Sequence, residues 1–434
     1  MPGRISLVLH THMPYVEGFG VWPFGEEWLF EAVATSYVPL LAVLDAGAPL
    51  TLSVTPVLLD QLEAPGVHER LLAFLRELRP EVHRQAAAAV PAGPLRDEVE
   101  RAAGDYARAG EAVEALGDGG LARALGRHAA WTSSATHAVL PLLATDQGIR
   151  WQLRHRREAP AGGFWLPECA WAPWLDPLLA AEGVRSVVVD LADHGRDPLR
   201  PLRTPAGLVA APLHRPLVEL VWSDAGFPSA GAYRDYHHYA EHRRRPWAID
   251  GTPYDHARAL GQARAHAAAF AAAARAAVAG GGLAVCAFDT ELFGEWWYEG
   301  VAWLEAVAAE LGDLLVPLDE ALAQSEPADD ALELVSTWGT PRDLSTWSGP
   351  QVADLAWQAR AAEVRAVAAG PGLGPRALRE LLALQSSDWA FLATRGTAGP
   401  YPRERAAGHL AAFDAALADP GMDPAVHGLA PRVR

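Results

Sequence analysis

Residues 286–300 read CAFDTELFGEWWYEG. The apolar run 283–288 leads directly into Asp289. A short apolar run bounded by polar residues suits a strand buried on both faces, as in a parallel sheet. Asp289 then stands at the C-terminal end of that strand, where parallel barrels carry their catalytic groups. Glu291, Glu295, Trp296, Trp297, Tyr298 and Glu299 follow closely. Acids do proton chemistry, and flat rings stack on the apolar faces of sugars. The plainer reading is a strand end set among core tryptophans.

Residues 163–173, GFWLPECAWAP, repeat the pattern. Glu168 follows a short apolar segment between Trp165 and Trp171. Two acids on two aromatic-rich strand ends are what glycoside chemistry requires, one to attack the anomeric carbon and one to manage the leaving-group proton. The two acids lie 121 positions apart in the chain, so only the fold can bring them together.

These motifs carry a family resemblance. GFWLPECAW, FDTELFGEWWYEG, the opening ISLVLHTHMPYVEGFGVWPFGEEWLFEA and the later STWG and SSDW segments together resemble glycoside hydrolase family 57, in particular its glucan-branching subgroup. The likeness runs from about residue 4 to about residue 413 with the motifs in the family's order. It implies an α/β fold, a (β/α)7 incomplete TIM-like barrel with a helical insertion and a C-terminal α-helical domain. It also implies a retaining mechanism without cofactor or metal, with Glu168 matching the nucleophile and Asp289 the general acid/base. The expected catalytic unit is residues 1–326, with the insertion at about 62–135, and residues 327–434 form the helical domain.

Bulk properties narrow the function classes. The 434 residues can hold one large domain and a smaller one. A net charge of −17 argues against nucleic-acid partners. With only Cys169 and Cys286, no disulfide framework organises the chain, which fits a cytoplasmic setting. No signal-peptide pattern opens the sequence, and no apolar run is read as reaching the ~18–20 residues of a membrane span. Sixteen tryptophans, several beside acids and glycines, favour ligand stacking over mere core filling. The expected partner is an α-glucan polysaccharide, and the expected state is a monomer or weak homo-oligomer.

In chain order, residues 4–9 predict the first strand, delivering His10 and His12 on one side of its end. A zinc site would need a third ligand. His137 and Asp146 are candidates, but no zinc-binding pattern links them, so sugar binding or nucleophile positioning is preferred for His10. His12 could equally be a structural hydrogen-bonder, and His137 a satisfied core histidine. Trp22 and Trp28 flank the loop before a helix over residues 26–46 and are candidate sugar platforms. A second strand is expected at 50–55, helices through 60–137, and further strands at 185–190, 217–222 and 313–318. Trp165, Trp247 and Trp296 complete the barrel's candidate binding residues.

The loop 223–239 reads SDAGFPSAGAYRDYHHY. It resembles the family's mobile loop, but Phe227 stands where a tyrosine is expected, with Tyr233 and Tyr236 nearby. Glu295 replaces a histidine common in the family. It is expected either to raise the pKa of Asp289 or to face solvent. In the C-terminal part, Trp338 and Trp347 resemble acceptor-site tryptophans, with domain docking as the alternative. Asp388 and Trp389 sit on an amphipathic helix expected over 378–392. The sequence thus points to a branching enzyme that cleaves α-1,4 links and transfers the chain to a 6-hydroxyl. The alternative is an amylase-type hydrolase with the same machinery. A non-catalytic glucan binder would be expected to lack one acid, and a metal-dependent deacetylase would need an Asp–His–His set.

Overall fold

The computed structural model describes residues 3–21, 24–154, 162–239 and 244–423. Among the described residues, nine strands form one sheet: β1 (Arg4–Thr11), β2 (Thr51–Val54), β3 (Ala129–Ser133), β4 (Gly163–Trp165), β5 (Ser186–Val189), β6 (Leu202–Arg203), β7 (Val209–Pro212), β8 (Leu283–Asp289) and β9 (Ala328–Asp329). Their spatial order is β8-β1-β2-β3-β4-β5-β7-β6-β9. From β8 to β7 every neighbour is parallel, giving seven strands that curl around one axis. The seam between β7 and β8 is held by one bridge, Leu213 to Val285, and by His214 N–H donating to Val285 C=O at 2.8 Å. This is the incomplete barrel that the resemblance implied, with β6 and β9 added as an outer extension.

Register places the chemistry. β1 and β8 pair over seven residues and set His10 directly beside Asp289. β8 is buried along its length up to Asp289, as expected of a strand covered on both faces. Beneath β4, a Cβ on Gly163 would lie 2.2 Å from the Trp131 indole, so only glycine lets β3 and β4 pack there.

Several expected elements differ. Residues 217–222 are not a strand. The slot beside β5 is filled by Val209–Pro212, and Arg215–Glu219 is a helix started by the His214 side chain, which accepts from Leu217 N–H at 3.3 Å. Leu217, Val218 and Val221 are buried at helical spacing, which also passes for an apolar strand run. Residues 313–318 make only the bridge Ile5–Leu315 before a helix starts at Leu318. β3 begins inside the segment expected to be a helical insertion, whose last helix, Gly120–His128, leads straight into it. The helix Glu26–Asp45 is long and apolar enough to cross a membrane, contrary to expectation, but 67% of its apolar window is buried in this fold. Glu31 of that helix is buried against Arg79.

The last part is helical: Ser345–Ser348, Ala353–Ala369, Pro375–Leu384, Ser387–Arg395 and Tyr401–Ala418. The single helix expected over 378–392 is broken at Gln385–Ser386, where the Ser386 hydroxyl caps the second segment by accepting from Asp388 N–H. This helical core is continuous with Tyr15, Val57, Val139 and Ala170 of the barrel, so the two parts share one apolar seam.

Candidate active site

A cavity of about 340 Å³ opens at the C-terminal ends of the strands. β1 carries His10 into it, and His12 follows one residue past the strand. β8 brings Asp289, and the turn after β4 brings Glu168. The helical part closes the other side with Trp347, Asp388, Phe391, Leu392 and Arg395. Both acids proposed from sequence therefore meet in one cleft.

The backbone around Glu168 is unusual. Glu168 has φ 61° and Cys169 φ 48°, and His137 opposite has φ 59°. Left-handed backbone costs non-glycine residues about 1–3 kcal/mol and persists only where its surroundings hold it. Here Glu168 C=O accepts from the Thr337 hydroxyl at 2.7 Å and from Trp338 N–H at 3.1 Å. The Trp338 indole N–H then donates to Glu168 Oε2 at 3.1 Å. The segment that leads into the helical part thus grips the acid by both backbone and side chain.

Burial sets the charges. It pushes Glu168 up to about 8, with the Asp289 charge adding to the rise and the Trp338 hydrogen bond opposing it. Burial also lifts Asp289 to about 7, against a lowering by His12. The Asp289 charge acts on Glu168, so the protonation of the two acids is linked. The indole donor stabilises a carboxylate on Glu168. Glu291, with its Oε1 accepting from Tyr37 OH at 2.6 Å and His12 N–H at 3.2 Å, is raised well above the ordinary range by burial. Asp388 goes the other way. Burial would raise it, but His12 and its hydrogen bond bring it below the usual carboxylate value.

The histidines form a relay. His10 Nε2 and His137 Nε2 share a hydrogen bond at 2.9 Å, and His137 Nδ1 reaches Ser387 Oγ at 2.8 Å. His12 Nε2 meets Asp388 at 3.1 Å and its Nδ1 meets Thr55 Oγ1 at 3.1 Å. Burial drops His10 and His137 well below the ordinary histidine value, so they are neutral. His12, His137 and Asp388 bring ligand atoms within 4.8 Å of one another, an Asp–His–His set that the sequence had not linked. Yet the His12 and His137 rings stack at 4.1 Å and 18°. Stacked rings direct their nitrogens side by side, and a shared ion must lie near both ring planes. A hydrogen-bonded relay fits this arrangement better than a metal centre does.

The remaining candidates divide. Trp28, Trp296, Trp338 and Trp347 line the cleft. Trp165 does not; it is fully buried and stacks under His10 at 4.9 Å. Trp389 points into the helical core, donating to Ala383 C=O at 2.8 Å. Trp247 lies outside the cleft lining, in a bridge with Pro253, and Trp22 falls outside the described residues. Phe227 stacks on His266 at 4.4 Å, and the Tyr233 hydroxyl bonds the same ring at 2.9 Å. Tyr236 lies against the Arg245 guanidinium. None of these three loop residues lines the cleft. Glu295 is buried, not solvent-facing, and its charge acts on Glu291 and Tyr37 instead of Asp289.

Sequence reading missed Trp222, Arg215, Phe391 and Arg395, which all line the cleft, and noted Glu291 there without giving it a role of its own. Trp222 was hidden in the mistaken strand. Phe391 and Arg395 were signalled by helical spacing from Asp388.

Comparisons with known proteins agree with this geometry. Residues 126–317 match glycosyl hydrolase family 57, and residues 373–422 match the C-terminal region of 1,4-alpha-glucan branching enzymes. A probable 1,4-alpha-glucan branching enzyme of Mycobacterium tuberculosis is 33% identical over 94% of this chain and 90% of its own length. The crystal structure of a branching enzyme from Pyrococcus horikoshii superposes with a TM-score of 0.88 at 29% identity, covering 98% of this chain and 92% of that one. An alpha-amylase from Thermotoga maritima superposes with a TM-score of 0.80 at 25% identity, covering 98% and 95%. By its sequence relatives and its fold, the chain belongs to glycosyl hydrolase family 57.

Proposed function

We propose that this protein is a 1,4-α-glucan branching enzyme acting by retention. The observation that carries the reading is the meeting of Glu168 and Asp289 in one tryptophan-lined cleft. Glu168, ionised and held by Trp338, attacks C1 of the cleaved glucose. Protonated Asp289 donates to the departing glycosidic oxygen. A covalent glucosyl-enzyme forms on Glu168. Asp289, now ionised, removes the proton of an incoming 6-hydroxyl, which attacks C1 and releases the enzyme with a new α-1,6 link. Asp388 keeps His12 oriented beside Asp289, and the neutral His10–His137 pair offers donors near Glu168 without adding charge. In this reading residues 1–326 form the barrel unit and residues 327–434 the helical unit that completes the cleft. Two buried, unpaired cysteines fit a cytoplasmic enzyme.

A second reading, hydrolysis, is favoured by one observation. Phe227 and Tyr233 pack on His266 and place no hydroxyl over the cleft. A cleft open on the acceptor side would admit water in place of a glucan hydroxyl.

Incubation with amylose decides between them. New α-1,6 signals by proton NMR with few new reducing ends are expected, and Glu168→Gln abolishes both. Reducing ends without α-1,6 signals would make the protein a hydrolase. Loss of the Glu168→Gln effect would sink the mechanism.

A further inference from the structure

The mechanism uses only the first turn of the helix Ser387–Arg395. The rest of that helix also faces the cleft. Asp388, Phe391, Leu392 and Arg395 all line it, and offsets of three, four and seven place them on one helical face. From Asp388 to Arg395 the face extends about 10 Å along the axis, at ~1.5 Å per residue. Asp388 is anchored to His12. The face therefore begins beside His12 and runs on along the cleft.

Its outer half carries unused chemistry. Phe391 is 37% exposed, while its neighbours Trp389 and Leu392 are 1% and 7% exposed. What sets this exposed ring apart is its place in the lining of the cleft. The Arg395 guanidinium lies over that ring, 5.5 Å from its centroid, and joins no ion pair among the described residues. Its charge reaches the cleft, where it acts to lower the pKa of Glu168. A flat ring offers a stacking face for a pyranose. A planar guanidinium beside it offers several fixed N–H donors to neighbouring hydroxyls.

We propose that Phe391 and Arg395 form a chain-holding subsite that grips an α-glucan at sugar units away from the bond being cleaved. The proposal rests on the α-glucan reading given above. Only a chain long enough to span from Asp289 to Phe391 gains from the contact. Binding energy from such a remote unit serves chain-length selection.

The test separates binding from catalysis. Titration calorimetry in the catalytically silenced Glu168→Gln protein compares maltose with maltoheptaose, with and without Phe391→Ala or Arg395→Gln. The expected result is a maltoheptaose affinity about ten-fold weaker in either double variant, corresponding to ~1.4 kcal/mol, with maltose affinity unchanged. In the active protein the same substitutions should raise KM for amylose and shift transferred chains to shorter lengths. Equal losses for short and long ligands would reassign the pair to a structural role. Unchanged maltoheptaose affinity would overturn the subsite. If Glu168→Gln bound no maltooligosaccharide of any length, the α-glucan reading itself would fall, and the subsite with it. If it bound them while the active protein formed no α-1,6 links, the branching reading alone would fail.

Discussion

Asp289 ends a seven-residue strand paired in unbroken parallel register with β1. Glu168 stands three residues beyond a three-residue strand, in left-handed backbone, pinned by Thr337 and Trp338. The first acid is placed by regular sheet geometry within the barrel. The second is placed by a strained turn that depends on a segment more than 160 residues further along the chain. One acid is thus a product of the barrel alone, and the other of the barrel and the helical part together. Substitutions can test this difference, beginning with the largest expected effect.

Glu168→Gln removes the proposed nucleophile and should cut turnover by about 10⁴-fold or more on every substrate. Asp289→Asn should cost ~10²–10⁴-fold on glucans. It should recover much of its first step on an aryl maltoside whose leaving group needs no proton. Stopped-flow release of the aryl group makes the distinction. If both variants failed equally on the aryl substrate, the assigned roles would be wrong.

Trp338→Phe keeps the ring and deletes the donor to Glu168 Oε2. Hydrogen bonds to charged groups contribute ~1.5–3 kcal/mol, so kcat/KM should fall by ten-fold or somewhat more. The carboxylate of Glu168 also loses a stabilising partner, so the acid limb of the pH–rate profile should move to higher pH. An unmoved acid limb would remove Trp338 from the electrostatic account.

Stability sharpens the comparison further. Gly163→Ala drives a Cβ into the Trp131 indole under the Glu168 strand and should cost ~1–3 kcal/mol by overpacking, read as a lower midpoint in urea. The smallest effect concerns pH. Glu168 is raised to about 8 in the folded protein, above the ~4.3 of an unfolded chain. A raised folded-state value favours folding fully below the unfolded pKa, and that advantage is lost as pH rises through the folded one. Glu168→Gln cannot ionise, so its Tm relative to the parent should rise between about pH 5 and pH 9. A constant difference across that range would contradict the buried, protonatable Glu168.

The same contrast explains what the sequence made legible. Asp289 was readable because apolar residues run unbroken to it and β-structure does the rest. Glu168 was readable as a residue but not as a geometry. Nothing local in GFWLPECAW specifies a left-handed turn, and its supports lie at Thr337 and Trp338. The run 217–222 misled because Leu217, Val218 and Val221 satisfy a buried strand and a short buried helix equally well. Trp165 and Trp389 misled for another reason. A tryptophan beside an acid marks proximity to a site, but the side-chain direction decides whether it faces sugar or core. The relay of His10, His137, His12 and Asp388 joins three chain segments, and such convergence is invisible along one dimension. The grip of Phe227 and Tyr233 on His266 is likewise a tertiary choice, since the loop sequence offers the same residues to the cleft.

The way Thr337, Trp338 and Asp388 complete the cleft has a consequence for the order in which the enzyme is made. Synthesis proceeds from the N-terminus, and early units fold first. A growing chain carries both Glu168 and Asp289 before Thr337, Trp338 and Asp388, which steady Glu168 and His12, have been translated. An unfinished molecule therefore carries the cutting groups without the frame that aligns them. On the proposed mechanism, activity requires this last quarter of the polypeptide, and a product truncated before Thr337 should leave amylose uncleaved.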